Sequence, residues 1–157
     1  MSEENLDQDC LFCRIASGES PSHAVYADER LYAFLDIHPI RPGHVQVIPR
    51  DHHACFDELP PDLASNIVGL GQRLAIALKR IYGVPRVGFA FTGNDIAHAH
   101  AHVVPLVCGT DITSRRYIVE EKVTFRATPR AAPSELDDTA ARIRSALANG
   151  AIGGPSG

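Results

Sequence analysis

The chain of 157 residues contains no tryptophan and a single methionine, with only four tyrosines and six phenylalanines. It also has no apolar stretch approaching the roughly 20 residues that a membrane-spanning helix needs. A membrane protein is therefore not expected. Its opening, Met1 to Asp9, is polar and acidic and lacks the basic and apolar regions of a secretory signal, so the expected location is the cytoplasm. Basic residues are few as well: 15 Lys and Arg stand against 19 Asp and Glu, giving a net charge of -4. Without a sustained basic block, a broad electrostatic surface for nucleic acid is excluded, whereas a small anion held locally is allowed. Four cysteines are too sparsely placed for a disulfide scaffold. Two of them form Cys10-x-x-Cys13, and Cys55 and Cys108 stand alone, a pattern suited to reduced thiols and a metal site.

What the chain does have is an ordinary globular composition, 45% hydrophobic and 22% charged, at a length typical of one domain. Ala24–Tyr26 and Leu31–Asp36 read as two strands joined by Asp28-Glu29-Arg30, a hairpin, and His44–Pro49 as a third strand after the loop His38–Gly43. Leu63, Ile67, Leu70, Leu74, Leu78 and Ile81 recur at steps of three and four and predict an amphipathic helix from Pro61 to Tyr82. Pro61 and Asp62 suit its first turn, Lys79 and Arg80 its last, and Gly83 and Pro85 stop it. Gly69 and Gly71 inside it point to a sheet pressing closely on that turn. Val87–Thr92 is expected as the fourth strand, Val123–Arg126 as a further one, and Ser134–Leu147 as a second helix capped by Ser134.

The densest signal is His98-Ala99-His100-Ala101-His102-Val103-Val104. On a strand, every second side chain faces the same way, about 6.5–7 Å apart, so the three imidazoles share one face and the small residues the other. A helix would disperse them. The continuation into Val103, Val104, Pro105, Leu106 and Val107 favours a fifth strand over 98–107, antiparallel to the fourth across the short link 93–97. The long helix then packs on the face carrying Ala99, Ala101 and Val103.

This run, preceded by Phe34-Leu35-Asp36-Ile37-x-Pro39 and Pro42-Gly43-His44-Val45-x-Val47-Ile48-Pro49, resembles the histidine triad (HIT) superfamily over roughly residues 8 to 108. The resemblance implies an α+β fold, a five-stranded antiparallel sheet packed by one long helix, with an additional C-terminal helix here. The chain is expected to divide into a HIT domain at 1–109, a C-terminal extension at 110–149 packed on the same domain, and, from its composition, a disordered tail at 150–157. The resemblance further implies a homodimer that binds a small-molecule nucleotide, preferentially a purine, and hydrolyses or transfers nucleoside monophosphate groups. By motif position His100 is the nucleophile that attacks an α-phosphorus, and His102 a donor to the phosphoryl oxygens. Phe34 and Ile37 then resemble the apolar wall beside the base, Asp36 the acceptor of ribose hydroxyls, and His44 a residue near the phosphate. Phe34 and Ile37 are equally readable as core, and Asp36 as a turn initiator.

The link before the triad, Gly93 to Ala97, is shorter than in hydrolytic members, which carry a glycine followed by glutamine there. Either Asn94 and the loop backbone supply the missing donors, or turnover is slow, or the substrate differs. Zinc-containing branches of the superfamily resemble this chain in pairing two cysteines with a histidine after the third strand and the first triad histidine. That implies a structural Zn²⁺ held by Cys10, Cys13, His52 and His98, with His53 as the alternative to His52. Two other readings compete. One is a metal-dependent hydrolase using the His-x-His pairs with Asp36, Asp95 or His44; the other is a nucleotide-binding regulatory module with little or no turnover.

Overall fold

The computed structural model describes residues 10–92, 95–108, 111–112 and 127–150. Three helices, α1 (Leu11–Ser17), α2 (Pro61–Tyr82) and α3 (Pro133–Gly150), accompany five strands, β1 (Ala24–Ala27), β2 (Leu31–Leu35), β3 (Val45–Pro49), β4 (Arg86–Phe91) and β5 (Ala101–Leu106). The strands form one antiparallel sheet in the order β1-β2-β3-β5-β4, an α+β architecture as expected. In the hairpin between β1 and β2, the Asp28 carboxylate accepts the backbone N–H groups of Arg30 and Leu31 at 2.8 and 2.7 Å, which fixes the turn and hence the register.

The core lies between one face of the sheet and helices α2 and α3. Leu63, Ile67, Leu70, Leu74 and Leu78 of α2 are buried there with Val45, Val47, Ala99, Ala101 and Val103, and with Leu136, Ala140, Ile143 and Leu147 of α3. Small residues at 99 and 101 let α2 approach β5, so the triad histidines project from the opposite face. There a second apolar cluster forms from Phe12, Ile15, Ala16, Phe34 and Ile48. Gly43, at φ +88, closes the loop before β3, and a side chain there would collide with Tyr82 at the end of α2. This contact presses the loop carrying His44 onto the helix.

Several sequence expectations need correction. β5 begins at Ala101, so His98, in a bend, and His100 precede it, and only His102 lies within the strand. The cause is the anchoring of residues 98–99 to another segment: the Ala99 N–H donates to the His53 carbonyl at 2.6 Å rather than into a ladder. His44 lies one residue before β3 because its N–H closes a turn onto the Arg41 carbonyl at 3.0 Å, and Asp36 falls just past the end of β2. At Gly71 the ring of Phe89 leaves no room for a side chain, but Gly69 faces open space. Helix α3 begins at Pro133, placing Ser134 inside it, and runs to Gly150, taking in the first residue assigned to the tail. The expected strand 123–126 and the tail from 151 lie outside the described residues. Among the described residues no helix is long and apolar enough to cross a membrane.

Candidate active site and metal centre

The Sγ atoms of Cys10 and Cys13 and ring nitrogens of His52 and His98 all lie within 4.8 Å of one another. Cys10 is the N-cap of α1 and Cys13 sits one turn on, so the helix sets both sulfurs on one side. Cys13 Sγ lies 3.3 Å from His52 Nδ1 and 3.4 Å from His98 Nδ1, and Cys10 Sγ lies 3.5 Å from His98 Nδ1. Tetrahedral zinc with ordinary Zn–S and Zn–N bonds spaces such donors about 3.5 Å apart. The second shell agrees: His98 Nε2–H donates to the Pro49 carbonyl at 3.0 Å, which leaves the Nδ1 lone pair aimed at the sulfurs. Burial, aided by neighbouring histidines, pushes the His98 pKa down to about 4, so the ring is neutral as a ligand must be. These residues fit the group. His53 is not among them and instead contributes its carbonyl to Ala99.

One residue beyond Ala99, His100 donates from Nδ1 to the His98 carbonyl at 2.7 Å. This fixes the tautomer and leaves the Nε2 lone pair as the ring's reactive position. Phe12 of α1 meets both rings edge-on, with centroids 5.9 Å from His98 and 5.2 Å from His100. His100 is therefore 6% exposed and held on two sides.

The third histidine belongs to a relay. The Ile40 N–H donates to His44 Nδ1 at 3.2 Å, so His44 Nε2 carries the proton and donates to His102 Nδ1 at 2.8 Å. His102 Nε2–H is left as an outward donor, with its ring 5.0 Å from that of His100. Burial drives His44 down to about 4, against the pull of Asp36, and burial also lowers His102, so both rings are neutral near pH 7.

Asp36 caps the loop after β2: Oδ1 accepts the His38 N–H at 2.8 Å, while Oδ2 accepts Gln46 Nε2 at 2.8 Å. The turn role raised from sequence is thus present, and the carboxylate keeps lone pairs toward the His44 and His102 side. Phe34 is 5% exposed and stacks edge-on against Phe12 at 5.6 Å, a supporting position beneath the site, whereas Ile37 is 38% exposed. The C-terminal segment braces this loop, since the Ala131 N–H donates to the Ile37 carbonyl at 2.8 Å and the Thr128 hydroxyl to the His38 carbonyl at 3.0 Å. Asn94 lies outside the described residues. His100 enters no potential metal-binding group among the described residues, which separates it from the His-x-His metal reading.

A model of the HIT domain family matches residues 17–107. The chain belongs to the HIT family. An uncharacterised HIT-like protein of Methanocaldococcus jannaschii is 36% identical over 100 residues, 61% of this chain and 78% of that one. The adenosine 5′-monophosphoramidase of Saccharomyces cerevisiae is 34% identical over 101 residues, 64% of either chain. A zinc-bound histidine triad family protein from Mycobacterium smegmatis superposes with a TM-score of 0.71 at 29% identity, covering 91% of this HIT protein and 96% of that chain. The family thus includes a relative named as an adenosine 5′-monophosphoramidase and a solved member with bound zinc.

Two features of the site were not foreseen from sequence. Helix α1 and its Phe12 were missed, although Phe12, Ile15 and Ala16 at helical spacing before Gly18 carry the signal. The His44–His102 pair joins residues 58 apart and needed the β3–β5 register to be seen.

Proposed function

We propose that this HIT protein hydrolyses or transfers the nucleoside monophosphate group of a nucleoside phosphate conjugate, with His100 as the nucleophile. The observation that carries the reading is the Nδ1–H bond from His100 to the His98 carbonyl, which reserves Nε2 for attack. In the proposed step the Nε2 lone pair forms a bond to the α-phosphorus as the bond to the leaving group breaks. The departing electron pair stays on the leaving group, which takes a proton from water, while His102 Nε2–H, held in the donating tautomer by the His44 relay, donates a hydrogen bond to a phosphoryl oxygen. The positive charge on the nucleotidylated imidazole is stabilised by the carbonyl at Nδ1. The hydroxide left by that proton transfer then attacks the phosphorus, and the P–N bond returns its electrons to His100. Asp36 and Ile37, with Asn94 in the loop ahead of the triad, are assigned to the nucleotide, and Phe34 to the support of that wall.

Cys10, Cys13, His52 and His98 would hold a structural Zn²⁺. Such an ion closes its coordination on four protein ligands and would brace the backbone from which His100 hangs. Paired thiolates of this kind persist in a reducing cytoplasm, the proposed location. The 1–109 unit is the proposed catalytic domain, with 110–149 as an extension supporting its nucleotide loop. Homodimerisation is assigned to the sheet edge at β4, where Phe89 is exposed over Gly71 and Val68 is exposed one turn earlier on α2. Incubation with adenosine 5′-monophosphoramidate tests the activity: release of AMP by the wild type and none by His100→Ala is expected, and binding of AMP without turnover of any nucleotide conjugate would instead favour the regulatory module.

A further inference from the structure

His44 is gripped from both sides of Arg41. The His44 N–H donates to the Arg41 carbonyl at 3.0 Å, and the Ile40 N–H, one peptide earlier, donates to His44 Nδ1 at 3.2 Å. The second bond decides the chemistry, because a ring nitrogen that accepts a hydrogen bond does not carry the proton. The other tautomer has an acceptor waiting, since Asp36 Oδ2 lies 3.7 Å from the same Nδ1. A proton moved there would leave a lone pair on His44 Nε2, and His102 would then need its own proton on Nδ1 to keep their 2.8 Å bond. The outward Nε2 of His102 would become an acceptor.

The turn that sets this choice lies beyond the end of the β3–β5 pairing, which runs from Val45–Val103 to Val47–Ala101. Asp111 bridges the gap. Its side chain is only 5% exposed and is oriented by the chain leaving β5, because Oδ2 accepts the Val107 and Cys108 N–H groups at 2.7 and 2.9 Å. Oδ1 is thereby turned to Arg41, whose Nε and Nη2 both donate to it, at 3.0 and 2.7 Å, and the Cys108 thiol donates at 3.0 Å. The Arg41 guanidinium, with those other donors, holds the carboxyl well below the usual carboxylate range, so these charge-assisted bonds persist at neutral pH. Asp111 also lies past residues 17–107, the span shared with the HIT domain family, so one end of the clamp comes from outside the matched domain. Resting on the reaction proposed above, we propose that Asp111 is a positioning residue: by holding Arg41 it fixes the turn from which Ile40 sets the His44 tautomer, and so keeps His102 Nε2–H available to the phosphoryl group.

Nitrogen NMR reads the tautomers without substrate. In ¹⁵N-labelled wild type at pH 7, His44 and His102 should both show a protonated Nε2 and a bare Nδ1. Asp111→Ala and Arg41→Ala remove opposite ends of the clamp, in case one perturbs the fold, and each should shift His102 toward Nδ1–H. Each should also lower kcat on a nucleoside phosphoramidate by about tenfold while KM changes by about twofold or less, with the double variant no worse than either single one. Variants that lose thermal stability but keep Nε2–H on His102 overturn the proposal, as does a wild type whose His102 is protonated on Nδ1. If the tautomers shift as expected but the wild type turns over no nucleotide conjugate, the reaction is rejected while the clamp's hold on the two rings is upheld.

Discussion

The ring of His100 hangs from the carbonyl of His98 by a 2.7 Å hydrogen bond, while the ring of His98 turns away to Pro49 and the two cysteines. One residue thus supplies backbone to the proposed chemistry and side chain to the proposed metal. The two histidines, two positions apart, should fail differently when removed.

His100→Ala should lower turnover of a nucleoside phosphoramidate by at least about 10³-fold, because it removes the Nε2 lone pair that forms the proposed covalent intermediate. Its thermal midpoint should stay near that of the wild type. His98→Ala should instead lower the midpoint by on the order of 10 °C, the shift that a loss of about 3 kcal/mol gives a chain of this size. Thermal denaturation and steady-state kinetics on both variants check the division; equal effects from both substitutions would contradict it.

Metal analysis of untreated protein should find one zinc per chain, and Cys10→Ser should reduce that content and destabilise the fold. Brief chelation should leave turnover intact until zinc departs, since His100 belongs to no metal-binding group among the described residues. Immediate, reversible loss of activity on mild chelation would instead favour a catalytic metal.

The His44 pKa near 4 sets a pH dependence of stability. The folded value lies below the ~6.5 of an unfolded histidine, so the unfolded chain binds a proton first as pH falls. The stabilisation from keeping His44 neutral is complete above about pH 6.5 and is lost as pH drops toward 4, to a total on the order of 3 kcal/mol. Urea denaturation between pH 7 and 4 should show a steeper loss for the wild type than for His44→Gln; parallel curves would remove His44 as the cause.

If β4 forms the subunit contact, Val68→Asp combined with Phe89→Asp should convert a dimer to a monomer by light scattering at micromolar concentration. Both side chains are exposed in the single chain, so the fold should survive. A wild-type monomer under those conditions would remove the dimer.

Much of this architecture is written in short-range patterns. The stripe Leu63–Leu78 specifies α2 because a 3.6-residue period buries one face, and the alternation His98 to Val103 assigns opposite faces to histidine and alanine even where the backbone is not yet strand. The start of β5 was misplaced because the Ala99 N–H is taken by His53, a long-range bond that no local pattern reveals. Helix α1, only seven residues long, is held by packing of Phe12 and Ile15 rather than by propensity, and so it escaped notice. The ligand set of Cys10, Cys13, His52 and His98 came from resemblance, and spacing alone did not choose between His52 and His53. The relay and the Gln46–Asp36 bond depend on strand register, which joins side chains far apart in the chain.

Covalent attachment of the nucleotide to His100 is read out by acid-free quenching during turnover of a nucleoside phosphoramidate, followed by mass spectrometry of the proteolysed protein. The expected result is one nucleoside monophosphate attached to the peptide carrying His100, absent from His100→Ala. Full turnover by His100→Ala, or an adduct on a different residue in the wild type, would contradict the account.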